Sequence, residues 1–159
     1  LKDSRATGSV LQYGDVPGMS PGSGVRHSEF HGSRTEPVHF LQIWLQPNVT
    51  NIAPSYEEKH FTAESKTGTL KLIASKDGRE GSVLIHQDAS IYASIMNPGD
   101  SLSHPLDPGR TAYVHVVRGS VTVNGAALSG GDALKISGEG GISLDNAQAA
   151  EVLVFDLPY

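Results

Sequence analysis

Nowhere in this chain does a helical hydrophobic period persist for the about 11 residues that identify an amphipathic helix. Eleven short β-rich runs stand instead: "GSVLQY", "VRHSEF", "VHFLQIWL", "GTLKLIAS", "SVLIHQ", "SIYASIM", "TAYVHVVRG", "SVTVN", "ALKIS", "GISL" and "AEVLVFDL". The 18 glycines and 9 prolines punctuate them with turn chemistry. This rhythm predicts an all-β protein, with at most one short helical turn, in "SYEEKHF". Asn124-Gly125 in "VTVNGAAL" is the favoured pair for a tight hairpin, whose two central residues both take φ > 0. So many strands would leave long edges in an open sheet, so a sandwich or closed barrel is expected.

A repeat sharpens the expectation. Shifting the chain by 117 positions lays "YGDVPGMSPGSGVRHSEF" over "GGDALKISGEGGISLDNA", with Gly14-Asp15 on Gly131-Asp132, Ser20 on Ser137 and Gly24 on Gly141. Val16, Met19 and Val25 fall on Ala133, Ile136 and Ile142, so the two stretches read as copies of one supersecondary unit. The copies differ where chemistry would sit: His27 falls on Leu144 and Glu29 on Asn146. The second copy is preceded by a strand-rich segment from about Ile91, whereas only 13 residues precede Gly14. The chain is therefore expected to begin inside its first barrel, an expectation to which the non-methionine Leu1 adds.

Composition narrows the partners. A net charge of −5 with no basic cluster argues against nucleic acid or an acidic membrane surface. No run approaches the ~20 apolar residues of a membrane span, and "LKDSRATGSV" lacks the order of a signal peptide, so a soluble cytoplasmic protein is expected. There is no cysteine, so any bound metal must sit on His, Asp or Glu.

His27 and Glu29, two apart in "GVRHSEF", point to the same face of a strand. Imidazole nitrogen and carboxylate oxygen together suit a first-row divalent metal: iron, manganese, copper, nickel or zinc. Two donors are not a centre, which takes at least three protein ligands, and an exposed surface pair has the same spacing. His31 lies four positions on, about 13 Å along a strand, too far to join without a bulge. His39 reads as a packed or hydrogen-bonded histidine, His60 and His86 as surface or core-rim residues. His104 and His115 lie in the second unit, and His115 shares a face with Tyr113 and Val117 as a core histidine would.

In "SGVRHSEF", "EPVHFLQIW" and "PSYEEKHF" in combination, residues 14 to 61 resemble the pirin family of bicupins, many of whose bacterial members are described as quercetin 2,3-dioxygenases. "RTAYVHVVRGSVTVNGAALSGGDAL" and "EVLVFDLP" resemble its second barrel, so the likeness spans essentially the whole chain. It implies two cupin-type β-barrels, the first incomplete here: residues 1–61 as the C-terminal part of the first, metal-type barrel plus a linker, and 62–159 as a second, metal-free barrel.

The resemblance further implies one metal, usually iron, held by three histidines and a glutamate, of which His27 and Glu29 match the third histidine and the glutamate. The other two belong to an upstream His-x-His strand, of which "LKDSRATGS" resembles the trailing hairpin. The implied activity is CO-releasing ring opening of a flavonol such as quercetin, with Glu29 as the base that takes the hydroxyl proton. Phe40, Gln42 and Trp44 are candidates to line the substrate mouth. The alternative implied by the family is a non-catalytic, metal-binding regulator that docks on protein partners. Lacking the His-x-His strand, the chain alone is expected to be inactive, with a strand-exchanged homodimer or a bound N-terminal fragment as routes to completion.

Overall fold

The computed structural model describes residues 1–4 and 8–159. Its elements in chain order are strands β1 (Lys2–Asp3), β2 (Asp15–Ser20), β3 (His27–Ser28) and β4 (Ser55–His60), helix α1 (Ala63–Lys66), then β5 (Lys71–Ser75), a 3₁₀ turn (Arg79–Gly81) and β6 (Val83–Leu84). There follow β7 (Ser90–Met96), β8 (Leu102–Pro105), β9 (Thr111–Val123), β10 (Ala126–Ser129), β11 (Ala133–Ser137) and β12 (Gly141–Leu157). The all-β expectation holds, and the single turn of α-helix lies just beyond "SYEEKHF". That segment is strand β4 instead, because its whole length pairs with β2, from Asp15↔His60 to Ser20↔Ser55. Thr62 starts α1 by accepting the Ser65 N–H on its hydroxyl, the usual role of an N-cap threonine.

Eight strands after Thr62 form one sheet in the order β10-β9-β12-β7-β5-β6, with β11 added to β9 and β8 to β12. The antiparallel pair β9/β12 is its spine, and each member takes different partners at its two ends. Such a sheet must bend back on itself, and the register shifts between Asp145 and Val152 mark the bend in β12. Asn146 and Ala149 there take φ of 49° and 43°. Opposite them a Cβ on Gly119 would stand 2.1 Å from the Ala149 carbonyl oxygen, so only glycine lets β9 run on uninterrupted. "TAYVHVVRG" and "SVTVN", which read as two strands, are one for that reason.

Alternation along β9 buries Ala112, Val114, Val116, Val121 and Val123 in one core with Ile142, Leu144, Val152 and Val154 from β12. Each fully buried Val or Leu of this kind contributes about 1.5–3 kcal/mol. His115, Tyr113 and Val117 lie on the opposite, partly exposed face, so the expectation of a core histidine at 115 is corrected: the buried face of β9 is the even-numbered one over this stretch.

Before Thr62 the described residues form two two-stranded ladders, β1/β3 and β2/β4, and no closed barrel. They dock on the second unit through a second cluster, in which Phe61, Val83, Ile91 and Phe155 meet Val16, Leu45 and Ile85. On β4, Glu57 accepts the Leu84 N–H at 2.9 Å, and Lys59 donates to the Ser82 carbonyl at 2.9 Å. The run "VHFLQIWL" has no ladder partner among the described residues, and Val38, Phe40 and Trp44 are exposed. It is held from the side instead: the Asn48 N–H donates to the His86 carbonyl, and the Gln87 amide donates to the Gln46 carbonyl, both at 2.8 Å.

The repeat is present in three dimensions. At Gly14 and Gly131 φ is 92° and 93°. The following aspartate in each copy accepts the N–H three residues back: Gln12 to Asp15 at 2.7 Å and Ser129 to Asp132 at 2.9 Å. A third copy of this turn, unnoticed in the sequence, sits at Gly99-Asp100, where φ is 90° and Asp100 accepts the Asn97 N–H at 2.8 Å. The tip of the hairpin expected in "LKDSRATGS" lies outside the described residues, but its flanks pair, the Ser9 N–H donating to the Leu1 carbonyl at 3.1 Å.

Candidate metal centre

His27 sits on β3 and Glu29 just past it, on a strand held by the β1 ladder, Asp3↔His27 and Lys2↔Ser28. A two-bond latch fixes its register: Ser4 N–H donates to the Arg26 carbonyl at 2.7 Å, and the Arg26 N–H donates to Ser4 Oγ at 3.2 Å. His27 Nε2 lies 3.8 Å from Glu29 Oε1, and both side chains are about one-third exposed, at 32% and 38%. Two donors bound to one ion at about 2.0–2.2 Å stand roughly 3.0–3.5 Å apart. A small side-chain rotation therefore brings this pair onto a single divalent cation, and the residues fit as two of its donors. Among the described residues no group of three or more His, Cys, Asp or Glu side chains is placed to hold a metal.

The remaining histidines lie elsewhere. His31 and His39 are exposed, His39 Nδ1 standing 3.5 Å from an Arg118 terminal nitrogen. His60, also exposed, pairs through Nδ1 with Asp15 Oδ1 at 2.6 Å. Asp15 titrates below the ordinary carboxylate range, first because it accepts the Gln12 backbone N–H and then through His60. His86 is half-buried, and its backbone carbonyl anchors Asn48. His104 packs its ring 4.8 Å from that of Tyr92 and meets Asp156 Oδ2 at 2.9 Å. Asp156 also accepts Arg110 Nε at 2.7 Å, and Arg110 reaches on to Asp88 at 2.8 Å. This network joins residues far apart in sequence and carries no signal in it. Phe40 and Trp44, two of the candidates to line a substrate mouth, are 60% and 85% exposed.

In the second unit, Leu144, the counterpart of His27, is fully buried opposite Val123, and Asn146, the counterpart of Glu29, is a left-handed bulge residue. An all-β chain of two related units, with an imidazole–carboxylate pair in the first and an apolar core in its place in the second, is of the bicupin class. Residues 72–157 match the family model of the quercetinase C-terminal cupin domain, and residues 1–45 match that of pirin. The chain is 37% identical over 157 residues to a quercetin 2,3-dioxygenase of Escherichia coli, covering 99% of this chain and 67% of that protein. It superposes on the crystal structure of YhhW from Escherichia coli with a TM-score of 0.93 at 37% identity, over 99% of this chain and 66% of that one. The same bacterial pirin in complex with nickel(II) gives a TM-score of 0.91 at 36% identity and the same coverage. The chain belongs to the pirin family, and it spans about two thirds of the length of these relatives.

Proposed function

We propose that this chain carries half of the metal centre of a pirin-type flavonol 2,3-dioxygenase, with His27 and Glu29 as its ligands and residues 62–159 as a metal-free barrel that supports it. The observation that carries the reading is the polar pair itself, 3.8 Å apart on one strand face, where the equivalent unit has Leu144 and Asn146. The relatives' names supply the substrate class, a planar phenolic flavonol, and the nickel-bound relative shows that a divalent metal enters such a protein. When bound, the metal, iron or another divalent ion, supplies a Lewis acid for the flavonol oxygens. Glu29, one-third exposed beside it, is placed to take a proton from an incoming hydroxyl.

No two of the seven histidines are two apart, so the His-x-His pair that the family implies is not among residues 1–159. The test is metal content per chain by elemental mass spectrometry, with and without a co-expressed segment bearing a His-x-His strand, followed by carbon monoxide release from quercetin. The expected result is well under one metal per isolated chain, about one in the complemented protein, and carbon monoxide only from the latter. A full complement of metal with no turnover of quercetin would sink the dioxygenase reading and leave a metal-binding regulator.

A further inference from the structure

The strand that carries His27 pairs with β1, and β1 is itself held by the segment that follows it: Lys2 bridges Gly8, and the Ser9 N–H donates to the Leu1 carbonyl at 3.1 Å. Ser9 also reaches out of this hairpin, its Oγ standing 3.1 Å from the Tyr56 hydroxyl on β4. Tyr56 donates its one hydroxyl proton to Glu58 Oε2 at 2.6 Å, so the bond between the two hydroxyls takes its proton from Ser9. Burial, and then the bond to Glu58, push the Tyr56 phenol above its ordinary value, so it stays protonated at neutral pH. Successive side chains of a strand point to opposite faces, and β4 uses both. Tyr56 meets the hairpin on one face; on the other, Glu57 accepts the Leu84 N–H and Lys59 donates to the Ser82 carbonyl of the second unit, both at 2.9 Å.

We propose that Tyr56 is a positioning residue for the candidate ligands, its hydroxyl tying the hairpin of β1, and with it His27 and Glu29, to a strand anchored on the second barrel. The line of bonds runs from Leu84 through Glu57 and β4 to Tyr56 and Ser9, and from there into the ladder that sets where His27 stands. A ladder of two residue pairs has little stiffness of its own, and an isolated two-stranded hairpin is at best marginally stable in water. The candidate ligands lie 3.8 Å apart and must close to roughly 3.0–3.5 Å around one ion, so order supplied from β4 is order the ion need not impose. The metal-free barrel thus acts on the candidate site through a named hydroxyl, and not only by burying apolar surface. The inference rests on His27 and Glu29 being metal donors, and not on the identity of the substrate.

The test uses the chain as it stands, with Tyr56→Phe, Ser9→Ala and the double variant, because both single changes break the same bond. Hydrogen exchange of the metal-free protein is read at the Ser4 N–H, which donates to the Arg26 carbonyl next to His27, and at the Ser9 N–H, with the Val116 N–H of the second barrel as reference. Nickel(II) is then titrated in, and its paramagnetic broadening of the His27 ring signals reports binding at that residue. The expected result is exchange at Ser4 and Ser9 about 3- to 10-fold faster in each single variant, a double variant no worse than Tyr56→Phe, an unchanged Val116, and several-fold more nickel needed to broaden His27. Unchanged exchange at Ser4 and Ser9 would overturn the proposal. So would faster exchange with an unaltered nickel titration, since Tyr56 would then hold the hairpin without positioning a ligand. A parent chain whose His27 signals stay sharp in nickel would sink the metal-centre reading itself and with it the ligand role of Tyr56, a failure distinct from the other two because it shows before any residue is changed.

Discussion

His104 and Asp156 meet at 2.9 Å across the second barrel, on a carboxylate whose other oxygen accepts Arg110 Nε at 2.7 Å. Both partners of the contact are mostly buried, with side-chain exposures of 12% and 15%. Arg110 also holds Asp88 at 2.8 Å and the Asp156 carbonyl at 3.1 Å, so one guanidinium ties the end of β12 to the loop ahead of β7.

Removing that guanidinium takes one of two side-chain partners from each carboxylate, leaving Asp156 with His104 and Asp88 with Lys76. Arg110→Ala is expected to lower the stability of the chain by about 2 kcal/mol, the scale of hydrogen bonds to charged groups. Urea unfolding reads it as a lower midpoint at unchanged slope. Arg110→Lys restores little, because an ammonium cannot span both partners as a planar fork does.

Acid should weaken the chain in a definite window. Asp15 and Glu57 both titrate below their ordinary values, each first because it accepts a backbone N–H, from Gln12 and Leu84 respectively. The folded state therefore binds fewer protons than the unfolded one. The stabilisation is complete above the unfolded values near 4 and disappears as pH falls through the lowered folded values. Asp15→Asn is expected to be less stable than the parent at neutral pH and to lose less on acidification, so that the two stability curves converge at low pH. Curves that stay parallel down to acid would disprove the assignment.

At the bend of β12 the chain holds an alanine where glycine is easier. Ala149 has φ of 43°, and a left-handed L-residue costs roughly 1–2 kcal/mol, partly offset by the greater freedom glycine has when unfolded. Ala149→Gly is expected to raise stability by up to about 1 kcal/mol. Gly119→Ala, with its Cβ driven to 2.1 Å from the Ala149 oxygen, should prevent β9 and β12 from pairing at this point. Hydrogen exchange of the amides on either side distinguishes that local break from global unfolding.

Trp44 is the only tryptophan and is 85% exposed. Its fluorescence in the isolated chain is expected to be that of solvated indole and open to acrylamide quenching. Addition of a polypeptide that pairs with residues 38–46 should shift the emission to the blue and protect it. A protected Trp44 in the isolated chain would show that copies of the chain already cover this face.

Much of the architecture was readable because local chemistry and packing agree. Asn124-Gly125 forms its hairpin with φ of 46° and 83°, and "SIYASIM" is strand β7 residue for residue. β2 escaped notice because Pro17 and Gly18 interrupt it, which is tolerable since among the described residues it pairs only with β4. β8 was missed because its partner, residues 141–144 at the start of β12, lies about 40 residues on, and only that pairing makes "LSHP" a strand. The candidate ligands were visible as a spacing and as a difference between repeats.

The Gly-Asp turns at residues 12–15, 97–100 and 129–132 each close upon themselves through the aspartate side chain and need nothing distant to do so. Loops of that size close in well under a microsecond, whereas proteins dominated by pairings as remote as β9 with β12 fold over about milliseconds to seconds. The corners therefore close and reopen far faster than that search, which is left with docking strands whose directions of return the corners bias.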